Sequence, residues 1–374
     1  MFFMKKIVFL FAAALMAVSG CTTNASAVDK TETVQEPVDK AQEILDSMTL
    51  EEKVGQMFFV RYTEDETVLN EIEQYDMGGL ILFARDFEGK TKEDVVSQIS
   101  ACQDTSKIPL LIGVDEEGGI VNRVSKFTEF RSEPFKSPQE LYAEGGLELI
   151  ASDTAEKCVL LSSLGINVNL APVCDVSEDS SSFIYDRTFG KDASLTSEYV
   201  KVVVTNMKTN KMGSALKHFP GYGDNGDTHT DIITDNRPLE QFRNSDFLPF
   251  KAGIDSGADM VLVSHNIVTS MDSTYPASLS SAVHDILRNE LGFNGVIMTD
   301  DMSMGAITEY TDGKAAAVQA VKAGNDLICC TDFTVQIPAV IEAVKNGEIS
   351  EEQINASVKR ILQMKINLGI IAEE

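Results

Sequence analysis

The stretch KHFPGYGDNGDTHTD, Lys217 to Asp231, gathers two of the chain's four histidines, a lysine, three aspartates and three glycines. Such side chains hold charge and move protons near neutral pH, and here they sit on a backbone whose glycines favour a loop. Other ionisable residues recur at the ends of apolar runs. Asp115 ends the run in GVDEEGG, Asp175 follows APVC, His265 ends LVSH, and Asp300 and Asp301 close IMTDD. A lone aspartate after a strand is commonly a turn former or the N-cap of the next helix, and Asp175 and Asp301 read equally well that way. Lysine and histidine are poor caps, so Lys217, His218 and His265 point instead to a shared site.

The elements that must position these groups alternate between short apolar runs and longer stretches of helical periodicity. Candidate strands are residues 53–60, 79–83, 109–115, 166–173, 213–219, 258–265, 295–300 and 326–330. Segments such as TKEDVVSQISACQ, LTSEYVKVVVTNMKTN, SAVHDILRNEL and KAAAVQAVKAG read as the helices between them. Nearly continuous apolar strands alternating with helices imply a parallel sheet covered on its faces, and eight such units close a (β/α)8 barrel. A doubly wound open sheet is the alternative. In a barrel the carboxyl ends of all strands share one face, which would bring the ionisable groups together. Residues 335–370 read as terminal helices covering the barrel, and His284, in SAVHDIL, reads as a surface residue.

Three quoted motifs, DEEGGIVNR, KHFPGYGDNGDTH and GFNGVIMTDDMSMGAI, resemble in order and placement the family 3 glycoside hydrolases, specifically their β-N-acetylglucosaminidase branch. The resemblance runs from about residue 40 to the end of the chain. It implies a (β/α)8 barrel and a retaining hydrolysis of terminal β-linked N-acetylglucosamine through a covalent glycosyl-enzyme. It further implies Asp300 as nucleophile, His229 as acid/base and Asp227 as the partner of His229. Asp115, Arg123, Arg187, Lys217 and His218 match positions that surround the sugar, with His265 and Asp175 as further pocket members. The residue types suit the chemistry: a carboxylate attacks the anomeric carbon, while a second group protonates the leaving oxygen and later activates water. Histidine does both near neutral pH, and a neighbouring aspartate holds its tautomer. Taken alone, DTHT reads as a solvated turn, Arg187 as a surface ion pair and His218 as a satisfied core histidine. The chain departs from the family pattern at Tyr222, where a second histidine is common, at Ile120, where arginine is usual, and in a slightly shortened loop between Gly223 and Asp227.

Composition narrows the partners. The formal charge of −27 and pI near 4.5 exclude a phosphate backbone as a natural ligand, because nucleic-acid binding needs clustered Lys and Arg. Residues 1–20 have a basic start at Lys5 and Lys6 and a short apolar run, the form of a signal peptide. Val18, Ser19 and Gly20 before Cys21 resemble a bacterial lipobox, which implies a lipid on Cys21 and an exported barrel at the extracytoplasmic face of the membrane. Residues 21–37 are polar and aperiodic, the pattern of a tether, and the catalytic body is expected over 38–374. Cys102, Cys158, Cys174, Cys329 and Cys330 remain, an odd number without CxxC, and read as buried free thiols. No Walker loop, HxH or HExxH is present, and no cofactor or metal is expected. The expected partner is a saccharide ending in N-acetylglucosamine, from a muropeptide, chitin fragment or glycan, met by a monomer. A phosphorylase on the same scaffold and a non-catalytic sugar-binding lipoprotein are the competing functions.

Overall fold

The computed structural model describes residues 39–226 and 232–372. Eight strands form one parallel sheet: β1 Phe58–Arg61, β2 Gly79–Leu82, β3 Leu111–Val114, β4 Val168–Asn169, β5 Gly213–Phe219, β6 Met260–Val263, β7 Val296–Thr299 and β8 Ile328–Cys330. Their spatial order is β8-β1-β2-β3-β4-β5-β6-β7. A parallel bridge between Met298 and Leu327 joins the two edges, so the sheet closes on itself into a (β/α)8 barrel. Each of the eight apolar runs supplies one strand.

Side-chain volume fits the interior to this closure. Phe59 on β1 stands opposite Gly79 in register, and a Cβ on Gly79 would lie 2.7 Å from the Phe59 ring. A Cβ on Gly113 of β3 would lie 2.4 Å from the same ring. Two adjacent strands therefore carry glycine so that one aromatic ring can fill the barrel's centre.

Helices flank the strands, among them Lys92–Thr105, Pro138–Ser163, Ala193–Thr209, Gly313–Ala323, Phe333–Lys345 and Glu351–Asn367. Several start on reciprocal capping boxes. Thr91 pairs with Asp94, and Ser137 pairs with Glu140 ahead of a proline in the first turn. The same device corrects the expected first strand. Thr49 and Glu52 bond to each other's backbone N–H at 2.8 and 3.2 Å and start the helix Leu50–Gln56, so β1 begins only at Phe58. Short apolar runs carry too few residues to separate helical from strand periodicity, and here the cap decides.

His284 is the second correction. It lies in the helix Ser281–Asp285 and is buried, with its Nδ1 donating to the Ser280 carbonyl at 2.7 Å and its ring against Gly324. Burial lowers its pKa. The short helix and the wider turn Ile286–Glu290 after it turn this residue inward, and a single histidine in an amphipathic stretch does not reveal that. The five cysteines of the body are free and buried, as expected, and the two terminal helices lie where the sequence placed them.

Candidate active site

The carboxyl ends of the strands surround a cavity of about 400 Å³ lined by Asp115, Glu117, Arg123, Arg187, Lys217, His218, Asp300 and Asp301, with Phe83 and Met304 among its apolar walls. β5 supplies two consecutive residues, Lys217 and His218. Neighbours on a regular strand face opposite sides. Both line this cavity because the pairing of β5 with β6 shifts register between Leu216 and Phe219.

Lys217 is the centre of the charge lattice. Its Nζ lies 2.7 Å from Asp115 Oδ1 and 2.6 Å from Glu117 Oε1, with the lysine 1% exposed. Arg187 grips the same Glu117 with two bonds, Nε to Oε2 at 3.0 Å and Nη2 to Oε1 at 2.8 Å. Burial alone would raise the Glu117 pKa, but Lys217 and Arg187 outweigh it and hold the carboxyl well below the usual range. Burial likewise opposes the charge on Lys217, and Asp115 and Glu117 overcome it and raise its pKa. Two basic and two acidic side chains thus form one ion-pair lattice on the cavity wall.

His218 has a fixed tautomer. Arg187 Nη2 lies 3.1 Å from His218 Nε2, and a guanidinium only donates, so Nε2 accepts and Nδ1 carries the hydrogen. That Nδ1–H donates to Asp175 Oδ2 at 2.8 Å. Asp175 also accepts the backbone N–H of His218 at 3.0 Å and that of Tyr222 at 2.8 Å. It is buried beneath the cavity and positions His218 without facing the cavity itself. Tyr222 packs edge-on to Phe183 at 5.2 Å and lies 5.1 Å from the His218 ring, filling the space beside it.

Asp300 follows β7 on the cavity wall. Its N–H donates to the Val263 carbonyl at 3.0 Å, and its Oδ1 accepts the Asp301 N–H at 2.9 Å. Asp301 takes the turn-forming role, accepting the Ser303 N–H at 2.9 Å and hydroxyl at 2.8 Å. His265 is fully buried behind this turn. Its Nε2 donates to the Asp301 carbonyl at 3.0 Å and its Nδ1 meets the Ser278 hydroxyl at 2.7 Å, which makes it a brace outside the cavity.

Arg123 differs from the other cations. Its N–H is held by Glu116 at 2.8 Å, but its Nε has no hydrogen-bond partner among the described residues while its side chain lines the cavity. A buried donor left open in a cavity calls for a ligand acceptor.

The structure therefore brings Asp115, Arg123, Arg187, Lys217, His218 and Asp300 together. Asp227 and His229 lie outside the described residues. The loop is described on both sides of them: Asn225 Nδ2 donates to Tyr222 O at 2.9 Å and to Asp235 Oδ2 at 2.8 Å, and Ser177 donates to Asp224 at 2.8 Å. The sequence reading missed Glu117, the most heavily used carboxylate of the lattice, and Glu116, which binds the backbone N–H groups of Arg123, Val124 and Ser125. The only signal was their position in DEEGG beside Asp115.

Comparison with known proteins agrees with this geometry. The family model described as the glycosyl hydrolase family 3 N terminal domain matches residues 49–364. A protein named beta-hexosaminidase from Xanthomonas campestris pv. campestris is 33% identical over 308 residues, covering 80% of this chain and 86% of its own length. Another of that name from Nitrosomonas eutropha is 34% identical over 264 residues, 68% of this chain and 74% of the relative. Among solved structures, a family 3 beta-N-acetylglucosaminidase from Paenibacillus sp. aligns with a TM-score of 0.82 at 30% identity. That alignment covers 87% of this chain, which spans 64% of the Paenibacillus chain's length. A family 3 glycosyl hydrolase from Mycobacterium smegmatis aligns at 28% identity with a TM-score of 0.78, covering 86% and 98% of the two chains. The barrel, the residues on its carboxyl-terminal face and these matches agree, and the chain belongs to glycosyl hydrolase family 3.

Proposed function

We propose that this glycosidase is a β-N-acetylhexosaminidase that releases terminal β-linked N-acetylglucosamine with retention of configuration. The observation that carries the reading is the placement of Asp300 on the same cavity as Asp115, Arg123, Arg187, Lys217 and His218. A carboxylate there faces groups suited to sugar hydroxyls: the Arg123 guanidinium donates, and the Asp115 carboxylate accepts paired hydroxyl hydrogens. The names of the relatives at 33–34% identity support the same substrate class.

In the proposed reaction the Asp300 carboxylate attacks the anomeric carbon as the glycosidic C–O bond breaks, and His229 delivers its proton to the leaving oxygen. His229 then takes a proton from water, whose oxygen displaces Asp300 and completes the second inversion. Asp227 orients His229 in both steps. Lys217, Glu117 and Arg187 hold the sugar-facing groups at fixed positions, so little reorganisation accompanies the charge that develops at the anomeric centre. The protein acts at the extracytoplasmic face of a membrane, held by a lipid on Cys21.

The experiment is turnover of an aryl N-acetyl-β-glucosaminide followed by proton NMR, with and without added phosphate. Initial appearance of the β-anomer is expected. The α-anomer first would overturn retention, sugar 1-phosphate would assign a phosphorylase, and binding without turnover would leave a sugar-binding lipoprotein. Loss of membrane association in Cys21→Ser tests the anchor.

A further inference from the structure

A second concavity of the barrel lies apart from the active site. It measures about 680 Å³ and lies at the opposite end, lined by Gly257 and Asp259 ahead of β6, Asn294 ahead of β7, and Lys359, Arg360 and Gln363 of the helix Glu351–Asn367. Lys208 and Lys211, at and just beyond the end of the helix Ala193–Thr209, complete it. The chain holds 58 acidic against 31 basic residues, yet this wall carries those four cations and one carboxylate, Asp259. Asp259 already accepts the N–H and hydroxyl of Ser214, both at 3.0 Å, and burial raises its pKa against the pull of those bonds and of the nearby Lys208 charge. Arg360 pairs with Asp326 at 2.9 Å and Lys359 with Asp39 at 2.7 Å. The side chains of Lys208 and Lys211 make no hydrogen bond or ion pair among the described residues.

The ion pair between Lys359 and Asp39 places the entry of the polypeptide at the rim of this cavity. Asp39 caps the helix Lys40–Ser47, and the chain from Cys21 to Val38, 18 residues, joins the barrel there. A chain of that length reaches at most about 60 Å. We infer that the amino-terminal end of the barrel is a seat for anionic lipid headgroups, built on Lys208 and Lys211, that turns the catalytic mouth away from the membrane. The inference rests on the lipid anchor at Cys21. At physiological salt a charge is felt over about 8 Å, so contact is governed by this local cluster rather than by the distant acidic surface. Headgroup phosphates supply anions for two ammonium groups that have no hydrogen-bonded partner among the described residues.

The test uses the full-length lipidated protein, reconstituted into vesicles of phosphatidylcholine alone or with one third phosphatidylglycerol. Acylation of individual lysine amines is read by peptide mass spectrometry. Lys208 and Lys211 should label about fivefold more slowly on the anionic vesicles, and Lys136, exposed elsewhere on the surface, should not change. Lys208→Glu should reduce the protection of Lys211 while hydrolysis of a soluble aryl glycoside stays at the wild-type rate. Equal labelling of Lys208 and Lys211 on both vesicles overturns the seat, as does protection by inorganic phosphate alone that vesicles do not increase. Failure of the wild type to float with neutral vesicles removes the anchor, and the seat with it.

Discussion

Lys217 and Arg123 are both cations of the cavity, yet their neighbours give their removal different consequences. Lys217 is buried between Asp115 and Glu117, so Lys217→Ala leaves two carboxylates facing each other and should cost about 3 kcal/mol or more of stability. Arg123 has no ion pair among the described residues, so Arg123→Ala should keep the wild-type melting temperature and lose about 1.5–3 kcal/mol of sugar binding, read as a raised KM. Equal melting losses in both variants would show that Arg123 is structural. The acid/base role belongs to the same scale. His229→Ala should fail on natural saccharides, whose leaving oxygen needs a proton, while an activated aryl glycoside still releases a burst of aryl alcohol before a slow steady state. Azide should speed that steady state by attacking the glycosyl-enzyme without a base. Equal losses on both substrates, with no burst and no rescue, would remove His229 from the role.

Strand β5 and the turn after β4 hold the site through one residue. Asp175 accepts three N–H groups, from the His218 backbone, the His218 ring and Tyr222, so that both of its oxygens are engaged. Asp175→Asn keeps the shape but turns an amide N–H toward one of these donors, which should cost about 1–3 kcal/mol of stability and lower kcat/KM. Calorimetry and kinetics on the variant read both, and an unchanged kcat/KM would show that His218 needs no such fixing. At this scale the sequence was informative wherever a local pattern ended on a charged residue. The apolar run before Asp115, the run containing Lys217 and His218 and the run before Asp300 each ended at the cavity. Glu117 was hidden because its partners Arg187 and Lys217 lie 70 and 100 residues further on, and an acidic triplet before two glycines reads as exposed turn. His284 was hidden for a related reason, since its inward orientation depends on packing against the turn at Gly324 rather than on its own helix. The start of β1 was hidden because the run from Lys53 to Val60 serves a capped helix before it serves a strand.

The whole barrel separates chemistry at one end from closure at the other, and the closure contains a buried lysine. Lys365, fully buried, donates to Gln56 Oε1 at 2.7 Å, joining the helix Glu351–Asn367 to the helix Leu50–Gln56. Burial lowers its pKa from 10.5 to about 7. The unfolded chain keeps this proton up to about pH 10 while the folded chain releases it near 7, so the unfolded state binds more protons between those values. Stability should therefore rise with pH across that window by about 1.4 kcal/mol per unit from this one group. Urea titrations of wild type and Lys365→Met should show the difference moving by about 2 kcal/mol in the wild type's favour from pH 7 to pH 9. Parallel curves would mean that Lys365 stays charged in the fold. In the proposed reaction Asp300 forms the covalent bond to sugar. The direct measurement is to incubate the enzyme with a 5-fluoro N-acetylglucosaminyl fluoride, digest it, and locate the added mass by tandem mass spectrometry. The label is expected on Asp300, in the peptide containing IMTDDMSMGAI; a label on Asp301, Asp115 or Glu117 would contradict the account.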